Sequence, residues 1–178
     1  AENTLEAVHV TWRYDAFETL YMLSSFGMSL NNEGELDEED LQEVIRLLSD
    51  WPDDFDGSAH LKIGGTPVTL KWPENVDAYL VDGRLEMTFL RQLETPLNLT
   101  SHALEVAFYE STYFFAFSIT EAPDVRGPAQ CTPTVIPFVP DAQDQDLQTV
   151  LAKLSREETS GIENVGAVFA DRIILECA

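Results

Sequence analysis

From Ala59 onward, apolar residues return at every second position in runs parted by glycine-bearing turns, and this rhythm restricts the fold more than anything else in the chain. A period of two belongs to a strand with one covered face, and a Gly-Gly or Asp-Gly pair between two such runs belongs to a hairpin. His60 to Ile63 and Thr66 to Trp72 flank Gly64-Gly65, while Asn75 to Val81 and Arg84 to Leu93 flank Asp82-Gly83. Ala103 to Phe108 and Tyr113 to Ile119 read as two more strands. In the second, alternation sends Tyr113, Phe115 and Phe117 to one face and Phe114 and Ala116 to the other, which suits core packing better than an aromatic ligand platform. The middle of the protein is therefore predicted to be antiparallel sheet.

The flanks carry other periods. Leu5 to Trp12 alternates, which places Val8, Val10 and Trp12 opposite His9 and Thr11. A strand so near the start of the sequence needs a partner, so an upstream piece is expected to be missing. Asp15 is placed to cap a helix over Ala16 to Phe26, with Phe17, Leu20, Tyr21 and Ser24 on one face, and Glu38 to Leu48 follows as a helix with Leu41, Val44, Ile45 and Leu48 aligned. Trp51 to Gly57 is loop, and its Asp53, Asp54 and Asp56 read as a solvated turn. Pro133, Pro137 and Pro140 make Cys131 to Val139 an edge strand or extended segment rather than a central strand. A helix over Asp144 to Leu154, with Leu147, Val150, Leu151 and Leu154 apolar, a short one near Ile162 to Ala170 and a strand over Ile173 to Cys177 complete the order. With no internal repeat and no linker, the prediction is one α+β domain over residues 1–178. It is an antiparallel β-sandwich or strongly curved sheet with an EF-hand-like helical insertion at 16–48.

Length and charge narrow the function classes. The 178 residues, 44% of them hydrophobic, suffice for one sizeable core. Acidic residues outnumber basic ones 32 to 10, and a formal charge of −22 repels nucleic acid and anionic membrane surfaces. It favours cations and basic partners, or serves solubility alone. No apolar run is long enough to insert in a bilayer, and Ala1 opens no signal-like region, so a soluble chain is expected. Cys131 and Cys177 read either as a disulfide closing the C-terminal third or as two reduced core thiols. The bridge would contribute about 4 kcal/mol by loop entropy and imply an oxidising compartment. With no Cys-x-x-Cys, a redox motif or zinc knuckle is not indicated.

The segment Ser29 to Asp40, SLNNEGELDEED, has the register of a calcium loop. In an EF-hand, side chains at positions one, three, five, nine and twelve supply oxygens, seven offers a carbonyl, and glycine at six permits the sharp turn. Gly34 at six makes Ser29 first, Asn31 third, Glu33 fifth, Glu35 seventh, Asp37 ninth and Asp40 twelfth. Ser29 is neutral where Asp is usual, and Asp40 is shorter than the Glu that grips calcium with both oxygens. The alternatives are a weak site for a divalent cation, calcium or magnesium, and a loop shaped by helix packing with its carboxylates solvated.

Elsewhere, His9, His60 and His102 lack metal-ligand spacing, and Asn98-Leu99-Thr100 matches a glycosylation sequon that arises often by chance. Gly-x-Ser-x-Gly, His-Glu-x-x-His and phosphate-loop patterns are missing. A non-catalytic role is expected.

Segments from Val10 to the C-terminus carry a resemblance: Val10 to Asp15, the acidic loop, Tyr79 to Leu85, Thr95 to Leu97, Glu105 to Glu110, Tyr113 to Phe117, Cys131, Gly166 to Ala170 and Cys177. In these the chain resembles a secreted bacterial family of unknown function, described as the periplasmic component of an uncharacterised ABC-type transport system. The resemblance implies export to the periplasm, a Cys131–Cys177 bridge, and a setting beside nickel, cobalt or zinc transport components. It also implies an upstream strand and a His-Pro-His stretch, which would make Leu5 to Trp12 the second arm of a hairpin. Glu110-Ser111 stands where the family favours Asp-Pro. The partner implied is a membrane permease or metal-transport component, and the rival reading is a structural module that docks on a permease and binds no metal itself.

Overall fold

A computed structural model describes residues 3–53, 55–100, 102–128, 130–154 and 161–178. In chain order the elements are β1 (Thr4–Arg13), α1 (Ala16–Ser25), α2 (Glu38–Leu48), β2 (Ala59–Ile63), β3 (Thr66–Val68), β4 (Glu74–Val81), β5 (Arg84–Asn98), β6 (Leu104–Phe108), β7 (Cys131–Ile136), α3 (Ala142–Leu151), a 3₁₀ turn (Val165–Phe169) and β8 (Arg172–Cys177). The fold is α+β with two antiparallel sheets, and no helix among the described residues is long and apolar enough to cross a membrane. The chain gathers into two compact units, one of Glu6–Phe55 and Leu70–Glu94, the other of Ala1–Leu5, Asp56–Thr69 and Thr95–Ala178.

The unit holding the helix pair is built on a three-stranded sheet in the order β1-β5-β4. The β4–β5 hairpin closes through Asp82-Gly83, both with left-handed φ (51° and 71°), the geometry a two-residue hairpin turn needs. Along β5, Leu85, Met87, Phe89, Arg91 and Leu93 are all buried, so the period of two seen in the sequence is a period of burial. Arg91 is the polar member of that row, and its Nε donates to the Lys71 carbonyl at 2.8 Å.

The helices α1 and α2 close over this sheet through Met22, Leu23 and Val44, which pack with Ala78 and Leu85. Half-buried Phe26, Met28, Leu30, Leu36, Leu41, Ile45 and Leu48 surround that cluster. Here the structure corrects one sequence expectation. The face of α1 turned inward is Thr19, Met22 and Leu23, not Phe17, Leu20, Tyr21 and Ser24. Both arcs have helical spacing, so periodicity does not choose between them. The choice follows from a polar contact: the Thr19 hydroxyl accepts the Leu85 N–H at 3.0 Å, both groups buried, and this seats the helix with its other apolar arc outward.

The second unit is a five-stranded antiparallel sheet in the order β3-β2-β6-β8-β7. The Gly64-Gly65 hairpin, the central β6 and the closing β8 stand where alternation placed them. Strand β7 is an edge, as its Pro133 requires, because a proline has no N–H to give a second neighbour. Cys131 and Cys177 face each other across β7 and β8 and form the disulfide. Helix α3 starts two residues before its expected position, with Asp141 and Asp144 forming a capping box. Leu147, Leu151 and Leu154 are half-buried on it and Val150 is exposed.

Tyr113 to Ile119 is not a strand, a second correction. The Glu110 carboxylate accepts the Thr112 N–H at 3.0 Å, the Thr112 hydroxyl at 2.7 Å and the Phe114 N–H at 2.7 Å, and Tyr113 takes a left-handed φ of 62°. A carboxylate that gathers N–H groups from two and four residues ahead bends the chain before a ladder can start. The aromatic residues there are split accordingly: Tyr113 packs on Phe169, while Phe114 and Phe115 are exposed and meet edge to face.

Candidate functional site

The helix–loop–helix of residues 16–48 carries the loop residues singled out from sequence. Asp15 caps α1 by accepting the Glu18 N–H at 2.7 Å, and Asp37 caps α2 by accepting the Asp40 N–H at 2.8 Å. Between them Gly34 has a φ of 79°, the left-handed turn expected of loop position six. Leu30 and Leu36 tie the loop to the core cluster below it.

The oxygens of the loop are partly committed to its own backbone. Asn31 Oδ1 accepts the N–H groups of Glu33 and Glu35, both at 2.9 Å, and the Glu35 carbonyl accepts the Asn31 N–H at 2.9 Å. Asn31 therefore acts as the internal brace of the turn, and one lone pair of the Glu35 carbonyl is already used. Ser29, Glu33, Glu35 and Asp37 are exposed and Asp40 is half-buried. Among the described residues no group of three or more His, Cys, Asp and Glu side chains converges with metal-ligand geometry.

Charge at this site is negative. Glu38, Glu39 and Asp40 occupy the first turn of α2, where the positive end of the helix dipole favours them, and Arg46 in the last turn complements the other end. That arginine is also held by Glu43, whose carboxyl lies below its ordinary range because of the hydrogen bond from Arg46. Half-buried Tyr14 packs against the same core cluster, and burial first, then the nearby Glu18 carboxylate, raise its phenol above the ordinary range.

The outer face of α1 is the one on which helical spacing aligns Phe17, Leu20, Tyr21 and Ser24. Phe17 is 74% exposed, Leu20 58% and Tyr21 44%, and Ser24 continues the same stripe. These spacings of three and four put the three large side chains side by side on one helix face. The residues of α1 include the acid Glu18 and no base. The missed signal was the density of apolar residues, since five of the seven positions from Phe17 to Leu23 are apolar, more than one buried stripe takes up.

The other singled-out groups lie elsewhere. Asp56 turns toward its own backbone, accepting the Ser58 N–H at 2.8 Å, and stands 3.6 Å from His60 Nε2; Asp54 lies outside the described residues. His60 stacks on Tyr109 with 3.7 Å between ring centroids. His9 is exposed on β1, and His102 is exposed beside Gly64. Asn98 is exposed and accepts the Thr100 N–H at 2.9 Å. A cluster that the sequence did not announce joins Trp12, Trp51, Phe55, Trp72 and Phe89: Trp51 and Phe55 stack at 4.7 Å and Trp12 meets Phe89 edge to face at 5.0 Å.

Fold and site define an acidic, disulfide-bonded α+β protein of two antiparallel sheets, with a helix–loop–helix whose outer face is apolar. Residues 1–177 match the model of the protein family of unknown function DUF1007, and the chain belongs to that family. No curated protein and no solved structure matches it.

Proposed function

We propose that this protein is a non-catalytic accessory or binding protein of divalent-metal transport, working in the periplasm by docking on a membrane permease or another metal-transport component. The observation that supports it is the outer face of α1. Phe17, Leu20 and Tyr21 stand exposed on a helix that is seated in the fold by Thr19, Met22 and Leu23. Contiguous exposed apolar side chains with a polar rim are the usual mark of a contact surface. The Cys131–Cys177 bridge fits an oxidising compartment outside the cytoplasm. The ABC-type setting rests on the sequence resemblance. A photo-cross-linking residue at Ser24, exposed on the same face, tests the reading in living cells. The expected adduct is with an integral membrane transport component; adducts confined to soluble proteins, or none, would overturn it.

A second reading, cation uptake by the loop, is favoured by the braced Gly34 turn. Among the described residues Glu33, Glu35, Asp37 and Asp40 form no salt bridge with a basic side chain. Calorimetric titration with calcium and magnesium, then nickel, cobalt and zinc, is expected to give a dissociation constant on the order of 10⁻⁴ to 10⁻³ M for calcium. Ser29→Asp with Asp40→Glu should tighten it at least tenfold, about 1.4 kcal/mol. Equal affinity in both versions would leave the acids as a solvated turn.

A further inference from the structure

We infer that residues 130–154, which hold β7 and α3, form a strap latched to the five-stranded sheet by the Cys131–Cys177 bridge and released when a dithiol reduces it. Every residue of this stretch is half-buried or exposed: β7 alternates between the two along its length, and α3 buries nothing. Its neighbours in the same unit differ, since β6 buries Leu104, Val106 and Ala107, and β8 buries Ile173 and Leu175. Apolar burial is the main force that seats a segment, so the strap depends on other ties. These include the β7–β8 ladder, which runs from Cys131↔Cys177 to Ile136↔Arg172, and the Phe138 N–H, which donates to the Asp171 carboxylate at 2.7 Å. The Phe138 ring meets Phe169 edge to face at 5.6 Å, and the Gln148 amide donates to the Tyr113 hydroxyl at 3.4 Å. Pro133 brings no N–H to the ladder. Segments with few buried apolar contacts are the ones that open at less cost than global unfolding.

The bridge is the covalent tie. It joins the first residue of β7 to the last of β8, directly opposite in register, and both cysteines are half-buried at the end of the sheet. Closing a separation of 46 residues, it limits how far the strap can leave while β8 stays in place. Reduction removes that limit. One thiol of the dithiol loses its proton and attacks a bridge sulfur; the S–S bond breaks, a mixed disulfide forms, and the other cysteine leaves as a thiolate that takes up a proton. The second thiol then loses its proton and attacks the mixed disulfide, expelling the remaining cysteine thiolate, which is protonated in turn. Two electrons have passed to Cys131 and Cys177, and the reductant departs as its own disulfide. When β7 lifts, β8 becomes an edge strand with open N–H and C=O groups. The free edge of this sheet is thereby tied to the thiol redox state of the surroundings.

Native-state hydrogen exchange read by mass spectrometry tests this on the whole protein, first oxidised, then treated with dithiothreitol, and as the Cys131→Ser, Cys177→Ser variant. Breaking the bridge by either route is expected to speed amide exchange in residues 132–136 roughly a hundredfold or more, with both cysteines of the treated protein open to alkylation. Exchange in β6 should stay slower, and in low urea its rates should rise while those of β7 stay flat, which separates opening of the strap from global unfolding. Far-UV circular dichroism should remain near that of the oxidised protein. If β7 and β6 exchange together once the bridge is broken, or the whole chain loses its fold, the strap is not a separate unit and the inference falls. It falls equally if β7 exchanges as fast with the bridge intact, or if dithiothreitol leaves the bridge whole in the folded protein. Dithiothreitol should not alter exchange in the serine variant, and an effect there would show that another event releases β7. Should that variant fail to accumulate, reduction of the purified protein carries the test.

Discussion

Gly166→Ala isolates a purely steric constraint. Gly166 lies in the 3₁₀ turn with no left-handed φ, so alanine suits its backbone, yet a Cβ there would sit 1.9 Å from the Glu110 carbonyl oxygen and 3.0 Å from the carbonyl carbon. That is roughly 1.5 Å short of ordinary contact, and the obstructing atoms are main chain. They are also tethered: the Tyr109 N–H donates to the Ser58 carbonyl at 3.1 Å, the Gly166 N–H donates to the Ser111 carbonyl at 3.3 Å, and the Glu110 carboxylate is held by Thr112 and Phe114. Overpacking costs about 1–3 kcal/mol, and a clash with fixed backbone belongs at the upper end. At this length each kcal/mol shifts the midpoint by about 2–4 °C, so a fall of about 6–12 °C is expected in thermal unfolding. Urea unfolding should show the same loss as a lower midpoint at unchanged slope. Gly34→Ala is the comparison: its Cβ meets nothing within 4 Å, and its φ of +79° costs only the left-handed strain, about 1–2 kcal/mol. If Gly166→Ala proves no more harmful than Gly34→Ala, the close packing of the 3₁₀ turn on Glu110 is wrong.

Unreduced protein should show no alkylatable thiol by mass spectrometry; the Cys131→Ser, Cys177→Ser variant, which opens a separation of 46 residues, should lose about 4 kcal/mol, and a loss below about 1 kcal/mol would contradict the loop-entropy reasoning. Thr19→Val should cost about 1–3 kcal/mol in urea unfolding, because it leaves the buried Leu85 N–H without its acceptor, whereas Thr11→Val on the exposed face of β1 should stay within about 0.5 kcal/mol of the parent. Burial raises the Glu110 carboxyl, but hydrogen bonds from Thr112, Phe114 and Ser111 outweigh that and hold it below its ordinary range. Its contribution is therefore full above the unfolded-state value, near about 4.3, and is lost as pH falls through the lower folded one, so the stability gap between parent and Glu110→Gln should narrow on acidification. A gap that ignores pH would show that the carboxylate charge does not matter to the turn.

What the sequence made legible is what short-range rules govern. Two-residue turns at Gly64-Gly65 and Asp82-Gly83, the cap at Asp15, and Pro133 of β7 each act within a few residues, and each stands where it was predicted. The failures come from contacts between residues far apart, or from a side chain competing with the backbone. Glu110 diverts Tyr113 to Ile119 from a strand that alternation alone predicts, because period two records burial preference and not whether the N–H groups are free to form a ladder. The aromatic cluster of Trp12, Trp51, Phe55, Trp72 and Phe89 joins separate segments and leaves no trace in any window. At α1 the decision rests on one bond across 66 positions, from Leu85 N–H to the Thr19 hydroxyl. Swapping the faces would bury more apolar surface but strand that N–H, at a cost of about 1–3 kcal/mol, and would unseat Met22 and Leu23 from Val44. The fold thus has a physical reason to keep Thr19 inside, and the outward placement of Phe17, Leu20 and Tyr21 follows from it.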